Sequence, residues 1–253
     1  MEKIALITGA TAGIGKATAE KLASNGYHLI LTGRRKEMLE KVAETIRQKH
    51  SINVLPLCFD IRKSNEVQQQ INELSKVWRN IDVLINNAGL AVGLNPIQSG
   101  VIEDWERMID TNIKGLLYIT RAISPIMVER RKGHIINLGS IAGREVYPNG
   151  NVYCATKHAV DALTKAMRID LLPYNIRVSQ VAPGQAETEF SLVRFKGDAE
   201  KAKATYDGFQ PLTAEDIADV ISYICEAPPH VTINDVLIMP TAQASISITH
   251  KDK

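Results

Sequence analysis

The sequence predicts an α/β fold: one doubly wound domain, with a seven-stranded parallel sheet and helices on both faces. Three observations carry this. Short apolar runs alternate with stretches of helical spacing along the whole chain. The runs are apolar almost throughout, which suits strands covered on both faces of a parallel sheet. The first run also ends in a glycine-rich turn that opens a helix, as at the carboxyl edge of such a sheet. At 253 residues the chain is long enough for one large domain. No repeat, linker or low-complexity stretch marks a second, so the domain is read as spanning residues 1–253.

The elements follow in order. Lys3 to Thr8 is a short apolar run ending at Gly9, a buried first strand. Ile14 to Ser24 has helical spacing and is stopped by Asn25-Gly26. Tyr27 to Thr32 is a second strand, and Arg35 to His50 a charged amphipathic helix. Asn53 to Phe59 is a third strand, followed by a polar helix from about Ser64 to Trp78. Val83-Leu84-Ile85 is a fourth strand, ended by Asn86-Asn87-Ala88-Gly89. A long helix is expected from about Asp104 to Glu129, bent at Pro125. Ile135 to Leu138 is a fifth strand, Asn151 to Leu172 a helix, and Ile176 to Val181 a sixth strand. Residues 185–212 look irregular or partly helical. Ala214 to Cys225 is a helix, and Asp235 to Met239 the seventh strand.

Composition narrows the function classes. A formal charge of +2 is too small to argue for nucleic acid or an anionic membrane as partner. Met1-Glu2-Lys3 leads straight into an apolar run too short for export or membrane spanning. Cys58, Cys154 and Cys225 match no metal-ligand spacing and cannot all pair, which reads as free thiols in a reducing compartment. The six histidines are scattered, so no metal is expected. Trp78 and Trp105 read as packing residues. The expectation is a soluble cytoplasmic protein acting on a small molecule.

The chemistry is concentrated in five stretches. Tyr153-Cys154-Ala155-Thr156-Lys157 puts a phenol and an ammonium on one helix face. Thr8-Gly9-x-x-x-Gly13-x-Gly15 follows the first strand, where amides at a helix start can hold a pyrophosphate. Asn86-Asn87-Ala88-Gly89 ends the fourth strand. Ser140 lies just after the fifth, thirteen positions before Tyr153. Pro183-Gly184 follows the sixth.

Taken in this order and between these elements, the stretches resemble the short-chain dehydrogenase/reductase family over nearly the whole chain. The resemblance implies a Rossmann-type domain and a nicotinamide cofactor held by Gly9, Thr11, Ala12, Gly13, Ile14 and Gly15. It implies that Asp60 meets the adenine amino group, that Ile61 packs near the ring, and that Asn87, Ala88 and Gly89 lie along the cofactor. Pro183, Gly184 and Thr188 would meet the carboxamide and pyrophosphate. The end of the second strand selects the cofactor, and here Gly33 replaces the acid usual in NAD-dependent members. Arg34 and Arg35 follow, and guanidiniums pair with a ribose phosphate, so NADP is expected. By the same resemblance Ser140 holds the substrate oxygen and Tyr153 is the acid/base. Lys157 lowers the tyrosine pKa and bonds the nicotinamide ribose, and the backbone of Asn112 holds a water that links the lysine to solvent.

The stretch from Glu187 to Asp198 and the stretch from Asn234 to Gln243 resemble NADP-dependent 3-hydroxy acid dehydrogenases, a subgroup that acts on serine, allo-threonine and small 3-hydroxy acids and is typically tetrameric. Residues 185–212 would then form a substrate lid. A carboxylate substrate calls for a cation, and two are candidates: Arg194 in the lid, favoured, and Arg144 four residues past Ser140. Two other readings stand beside this one. A 3-oxoacyl carrier-protein reductase would need a basic docking surface, which Arg130, Arg131 and Arg168 could supply. A non-catalytic NADP-binding regulator is opposed by the intact Asn112, Ser140, Tyr153 and Lys157.

Overall fold

A computed structural model describes residues 3–252; Met1, Glu2 and Lys253, the ends of the expected domain of residues 1–253, lie outside the described residues. Seven strands form one sheet: β1 (Ile4–Thr8), β2 (His28–Gly33), β3 (Val54–Cys58), β4 (Ile81–Asn86), β5 (Gly133–Leu138), β6 (Ile176–Pro183) and β7 (Asp235–Ile238). Their order is β3-β2-β1-β4-β5-β6-β7, and every neighbouring pair is parallel. The chain winds outward from β1 in one direction and from β4 in the other. The crevice between the carboxyl ends of β1 and β4 is therefore the topological switch point, where this architecture binds ligands.

Side chains alternate across the sheet, and both faces are covered. Ala5, Ile7, Leu29 and Leu31 pack on one face with Leu22 of α1 (Gly13–Ser24), Leu39 and Ile46 of α2 (Lys36–Lys49), and Ile217 and Ile221 of α9 (Ala214–Glu226). Ile4, Leu6, Ile30 and Leu84 pack on the other with Ile71 of α3 (Ser64–Asn72), Ile119 and Ile123 of α5 (Leu116–Arg130), and Val160 of α6 (Asn151–Leu171). Both faces of one strand are buried, so the apolar runs are nearly continuous. This is what made them legible as strands.

One polar seam crosses this core. Asn86 donates to Thr120 Oγ1 at 2.9 Å and to Asn137 Oδ1 at 2.8 Å, and Asn137 donates to Thr164 Oγ1 at 2.9 Å. It ties β4 and β5, paired at Asn86 and Asn137, to α5 and α6. These bonds fix the register of the two strands, although Asn86 Oδ1 is buried with no hydrogen-bond partner among the described residues.

Two helices differ from the sequence reading. The polar helix ends at Asn72 rather than near Trp78. Leu74 stays buried, but the chain then turns toward β4, closed by Arg79 N–H to Ser75 O and Asn80 N–H to Val77 O. The long helix is present from Ile102 to Arg130, with α4 covering Ile102–Ile109. Its irregularity falls at Asp110–Gly115, a wide π turn, ahead of Pro125. Single π turns of this kind cluster at functional sites. The 185–212 stretch contains two short helices, α7 (Glu189–Arg194) and α8 (Ala199–Ala204).

Candidate active site

The site is built on the glycine turn after β1. Gly9 and Gly13 have φ of +67° and +51°, conformations that side chains rarely adopt. At Gly15 a Cβ would sit 2.4 Å from Asn87 Nδ2 and 2.4 Å from Gly9 O, so α1 can approach the turn only without one. Asn87 pins the turn from β4 by donating to Thr8 O at 2.8 Å. The Thr8 hydroxyl accepts from Asn87 N and Ala88 N at 3.0 and 2.9 Å and donates to Ile85 O. The switch point is thus held by its own hydrogen bonds, and the amides that open α1 face an open cleft of about 640 Å³.

That cleft is lined by Gly9, Thr11, Ala12, Gly13, Ile14, Arg34, Arg35, Asp60, Ile61, Asn87, Ala88, Gly89, Ser140, Tyr153, Lys157, Pro183, Gly184, Thr188 and Arg194. Nearly every residue picked from the sequence is therefore on one surface. A bare turn with positive-φ glycines, aligned amides and this volume fits a dinucleotide.

One end of the cleft is cationic. Gly33 closes β2, and a Cβ there would lie 2.8 Å from Thr11 Cγ2, so a longer acid would have to displace Thr11. Arg35 reaches Thr11 Oγ1 through Nε and Nη2, at 3.3 and 2.8 Å. Arg34 stands 4.0 Å from Asp60. Burial and the nearby Arg62, Arg107 and Arg35 hold its pKa below the usual value, against the pull of Asp60. Asp60 accepts from the Arg62 guanidinium through both oxygens, at 2.6 to 3.0 Å. Burial pushes the carboxyl up, yet these bonds outweigh it and leave its pKa lowered. Arg62 and Arg107 were not picked from the sequence. Arg107 lines the cleft from α4, and its place depends on how the long helix crosses the sheet.

The other end holds the chemical groups. Ser140 caps the short turn after β5, its Oγ accepting from Ala142 N at 3.1 Å. Tyr153 is 9% exposed and lies on the first turn of α6. Burial raises its pKa, while the Arg194 cation and a hydrogen bond from Ser140 draw it down. Lys157 Nζ donates to Leu138 O at 2.8 Å, and burial lowers its pKa to about 8. A second cation, the Arg194 guanidinium, stands beside the phenol. Arg194 Cζ lies 5.1 Å from the Tyr153 ring, 5.0 Å from Phe190 and 5.5 Å from Tyr147.

Asn112 sits on the π turn, 2% exposed. It donates to Leu90 O at 2.8 Å and to Thr156 Oγ1 at 3.0 Å, and accepts from Leu90 N at 2.8 Å. A Cβ on Gly89 would meet Asn112 Oδ1 at 3.3 Å and Lys157 Nζ at 3.6 Å. The bare Gly89 is what lets these two side chains converge.

The segment after Thr188 is tied to the far wall of the cleft. Arg194 donates to the Tyr147 hydroxyl at 2.6 Å, and its carbonyl accepts from Gly93 N at 3.0 Å. Lys196 pairs with Asp104 at 2.7 Å. Arg194 Nε is buried with no hydrogen-bond partner among the described residues. Arg144 is not brought into the cleft: its guanidinium pairs with Asp235 at the start of β7. Tyr147 had no sequence signal of its own, because a tyrosine in an irregular loop matches no spacing rule.

Comparison with known proteins agrees with this architecture. The family model described as short chain dehydrogenase matches residues 3–198. The NADP-dependent 3-hydroxy acid dehydrogenase YdfG of Salmonella typhi is 48% identical over 242 residues, 95% of this chain and 96% of that protein. Sulfoacetaldehyde reductase 2 of Chromohalobacter salexigens is 46% identical over 96% of each chain. The closed form of a serine dehydrogenase complexed with NADP+ superposes with a TM-score of 0.93, at 42% identity, over 99% of this chain and 100% of that one. The Escherichia coli serine dehydrogenase gives a TM-score of 0.82 at 38% identity, over 95% and 99% of the two chains. With the glycine turn, Ser140, Tyr153 and Lys157 in one cleft and relatives of this identity matched end to end, the chain belongs to the short-chain dehydrogenase family.

Proposed function

We propose that this protein is an NADP-dependent oxidoreductase of small 3-hydroxy acids and their keto or semialdehyde forms. The observation that carries the substrate class is Arg194: a lid guanidinium stacked over the acid/base tyrosine, with its buried Nε free. A buried unbonded donor is costly, and a carboxylate satisfies it.

Bound NADP supplies the hydride acceptor or donor. The turn from Gly9 to Gly15 cradles the pyrophosphate, with Thr11, Ala12 and Ile14 along it. Arg34 and Arg35 take the ribose phosphate, and Asp60 and Ile61 flank the adenine. Asn87, Ala88 and Gly89 line the opposite wall, and Pro183, Gly184 and Thr188 meet the nicotinamide end. Lys157 holds the nicotinamide ribose, and Asn112 fixes the wall behind it. Ser140 orients the substrate oxygen. Tyr153 gives that oxygen a proton in reduction and takes it in oxidation. Its raised pKa suits the donor role. The Arg194 cation offsets part of the burial that would otherwise keep the phenolate from forming.

The same proposal places the enzyme in the cytoplasm as a homotetramer. Among the described residues no helix is long and apolar enough to cross a membrane. Exposed Ile102, Ile109 and Leu117 on α4 and α5, Ile169 on α6, Tyr223 on α9 and Leu237 on β7 are apolar surface that subunit contacts would cover.

The test compares Arg194→Ala on 3-hydroxybutyrate with the same variant on a neutral secondary alcohol. The expected kcat/KM loss is roughly tenfold or more on the acid alone, about 1.4 kcal/mol. Equal loss on both would show that Arg194 shapes the lid without reading the carboxylate. Sulfoacetaldehyde belongs in the same panel, since a sulfonate makes the same demand on a guanidinium and one relative is named for that substrate.

A further inference from the structure

Three consecutive residues at the start of the lid touch three separate parts of the machinery. A Cβ at Gly13 would lie 3.3 Å from the Thr188 side chain, so Thr188 stands against the glycine turn. Phe190 packs on the Tyr153 ring, with centroids 5.5 Å apart. Between them Glu189 forms an ion pair with Arg35 Nη1 at 3.1 Å. Arg35 uses its other two nitrogens on Thr11. All three nitrogens of this guanidinium are therefore engaged by the protein, in the place read above as the ribose-phosphate site. Five N–H donors sit on those nitrogens, so one remains on each Nη, and a phosphate that takes them meets the Glu189 carboxylate already on Nη1.

Which partner yields follows from charge and exposure. Thr11 is buried in the turn, at 9% exposure, and accepts from two nitrogens. Glu189 and Arg35 are each about half exposed, at 48% and 47%, and surface pairs of that kind are weak and readily exchanged. A phosphate carries more charge than a carboxylate and binds a guanidinium by two parallel bonds. We propose that Glu189 is a cofactor-selectivity residue, a lid carboxylate that competes with the ribose phosphate for Arg35 and ties the start of the lid to that site. The proposal rests on the reading of Arg34 and Arg35 as the phosphate site. Without the phosphate the pair latches α7 down. With the phosphate bound, Glu189 is released and the latch is lost, whereas a dinucleotide lacking that phosphate leaves it in place.

The probes are adenosine 2′,5′-bisphosphate, which carries the ribose phosphate, and adenosine 5′-phosphate, which lacks it. Calorimetry gives their affinities for wild type, Glu189→Gln and Glu187→Gln. The last removes a neighbouring lid charge that takes part in no ion pair among the described residues. Glu189→Gln is expected to tighten the bisphosphate by about twofold to fivefold, the range for loss of an exposed ion pair, and to leave the monophosphate unchanged. Glu187→Gln should change neither ratio. Amide exchange across residues 189–194 gives a second readout: the bisphosphate should speed it in wild type and not in Glu189→Gln. Unchanged or weaker bisphosphate binding by Glu189→Gln, or an equal gain in Glu187→Gln, would overturn the proposal. A wild type that binds both probes equally would instead overturn the phosphate-site reading beneath it.

Discussion

Lys157 shows what a single residue is asked to do here. It is 7% exposed, bonded to Leu138 O, and held at a pKa of about 8 by burial. Its ordinary value is 10.5, so between these two pH values the unfolded chain binds more protons than the folded one. Stability therefore rises with pH through that window and is lost as pH falls toward 8. In Lys157→Met this contribution is absent. The cofactor-free wild type should gain roughly 1–2 kcal/mol on the variant between pH 8 and 9.5, read from urea unfolding at each pH. A difference that stays flat would mean that the lysine is already normal in the folded state. The burial that costs stability is also what leaves a responsive cation at the cofactor site, a trade common in active sites. Tyr153 and Lys157 were legible in the sequence because their spacing is local. Arg194 was singled out as a carboxylate anchor, but its place above the phenol was not legible, because it meets Tyr153 only through tertiary folding.

At the scale of elements, the π turn at Asp110–Gly115 and the lid do the positioning. Asn112 makes three buried hydrogen bonds from that turn, two of them to the backbone of Leu90 in the loop after β4. Gly115 lets the helix come close: a Cβ there would sit 2.9 Å from Ile61 Cγ2. Asn112→Ala leaves the Leu90 N–H and C=O unpaired, a loss of roughly 2–4 kcal/mol. Thermal unfolding should show a Tm lower by roughly 5–15 °C. A change within two degrees or so would mean that water replaces the side chain and that the turn is not held by it. Sequence periodicity located the long helix but not this turn, since a single inserted residue only shifts the phase of the apolar stripe and no residue type marks where it falls. Pro125 was the visible irregularity, yet it lies inside α5. The polar helix after β3 was read too long because Leu74 continues its apolar spacing after the backbone has turned.

Across the whole molecule, the site exists because the sheet reverses its winding between β1 and β4. The glycine turn and Arg34–Arg35 come from one half of the sheet, and Asn112, Ser140, Tyr153 and Lys157 from the other. The 189–196 segment touches both, through Arg35–Glu189 on one side and Lys196–Asp104 on the other. Apolar runs alternating with helices imply a parallel, doubly wound sheet with a cleft at its switch point, so the fold and the cleft were readable in the sequence. What joins the halves was not: the Tyr147–Arg194 bond spans 47 residues with no pattern to announce it. The proposed reaction is oxidation of a small 3-hydroxy acid with NADP through the Tyr153 hydroxyl. The most direct measurement is NADPH formation from serine or 3-hydroxybutyrate by wild type and by Tyr153→Phe, with dinucleotide affinity measured on the same samples. The wild type should turn over. The variant should lose about 10²–10⁴ in rate, the range for a missing general acid/base, while binding NADP as before. A folded Tyr153→Phe enzyme that keeps a rate near that of the wild type would contradict the account.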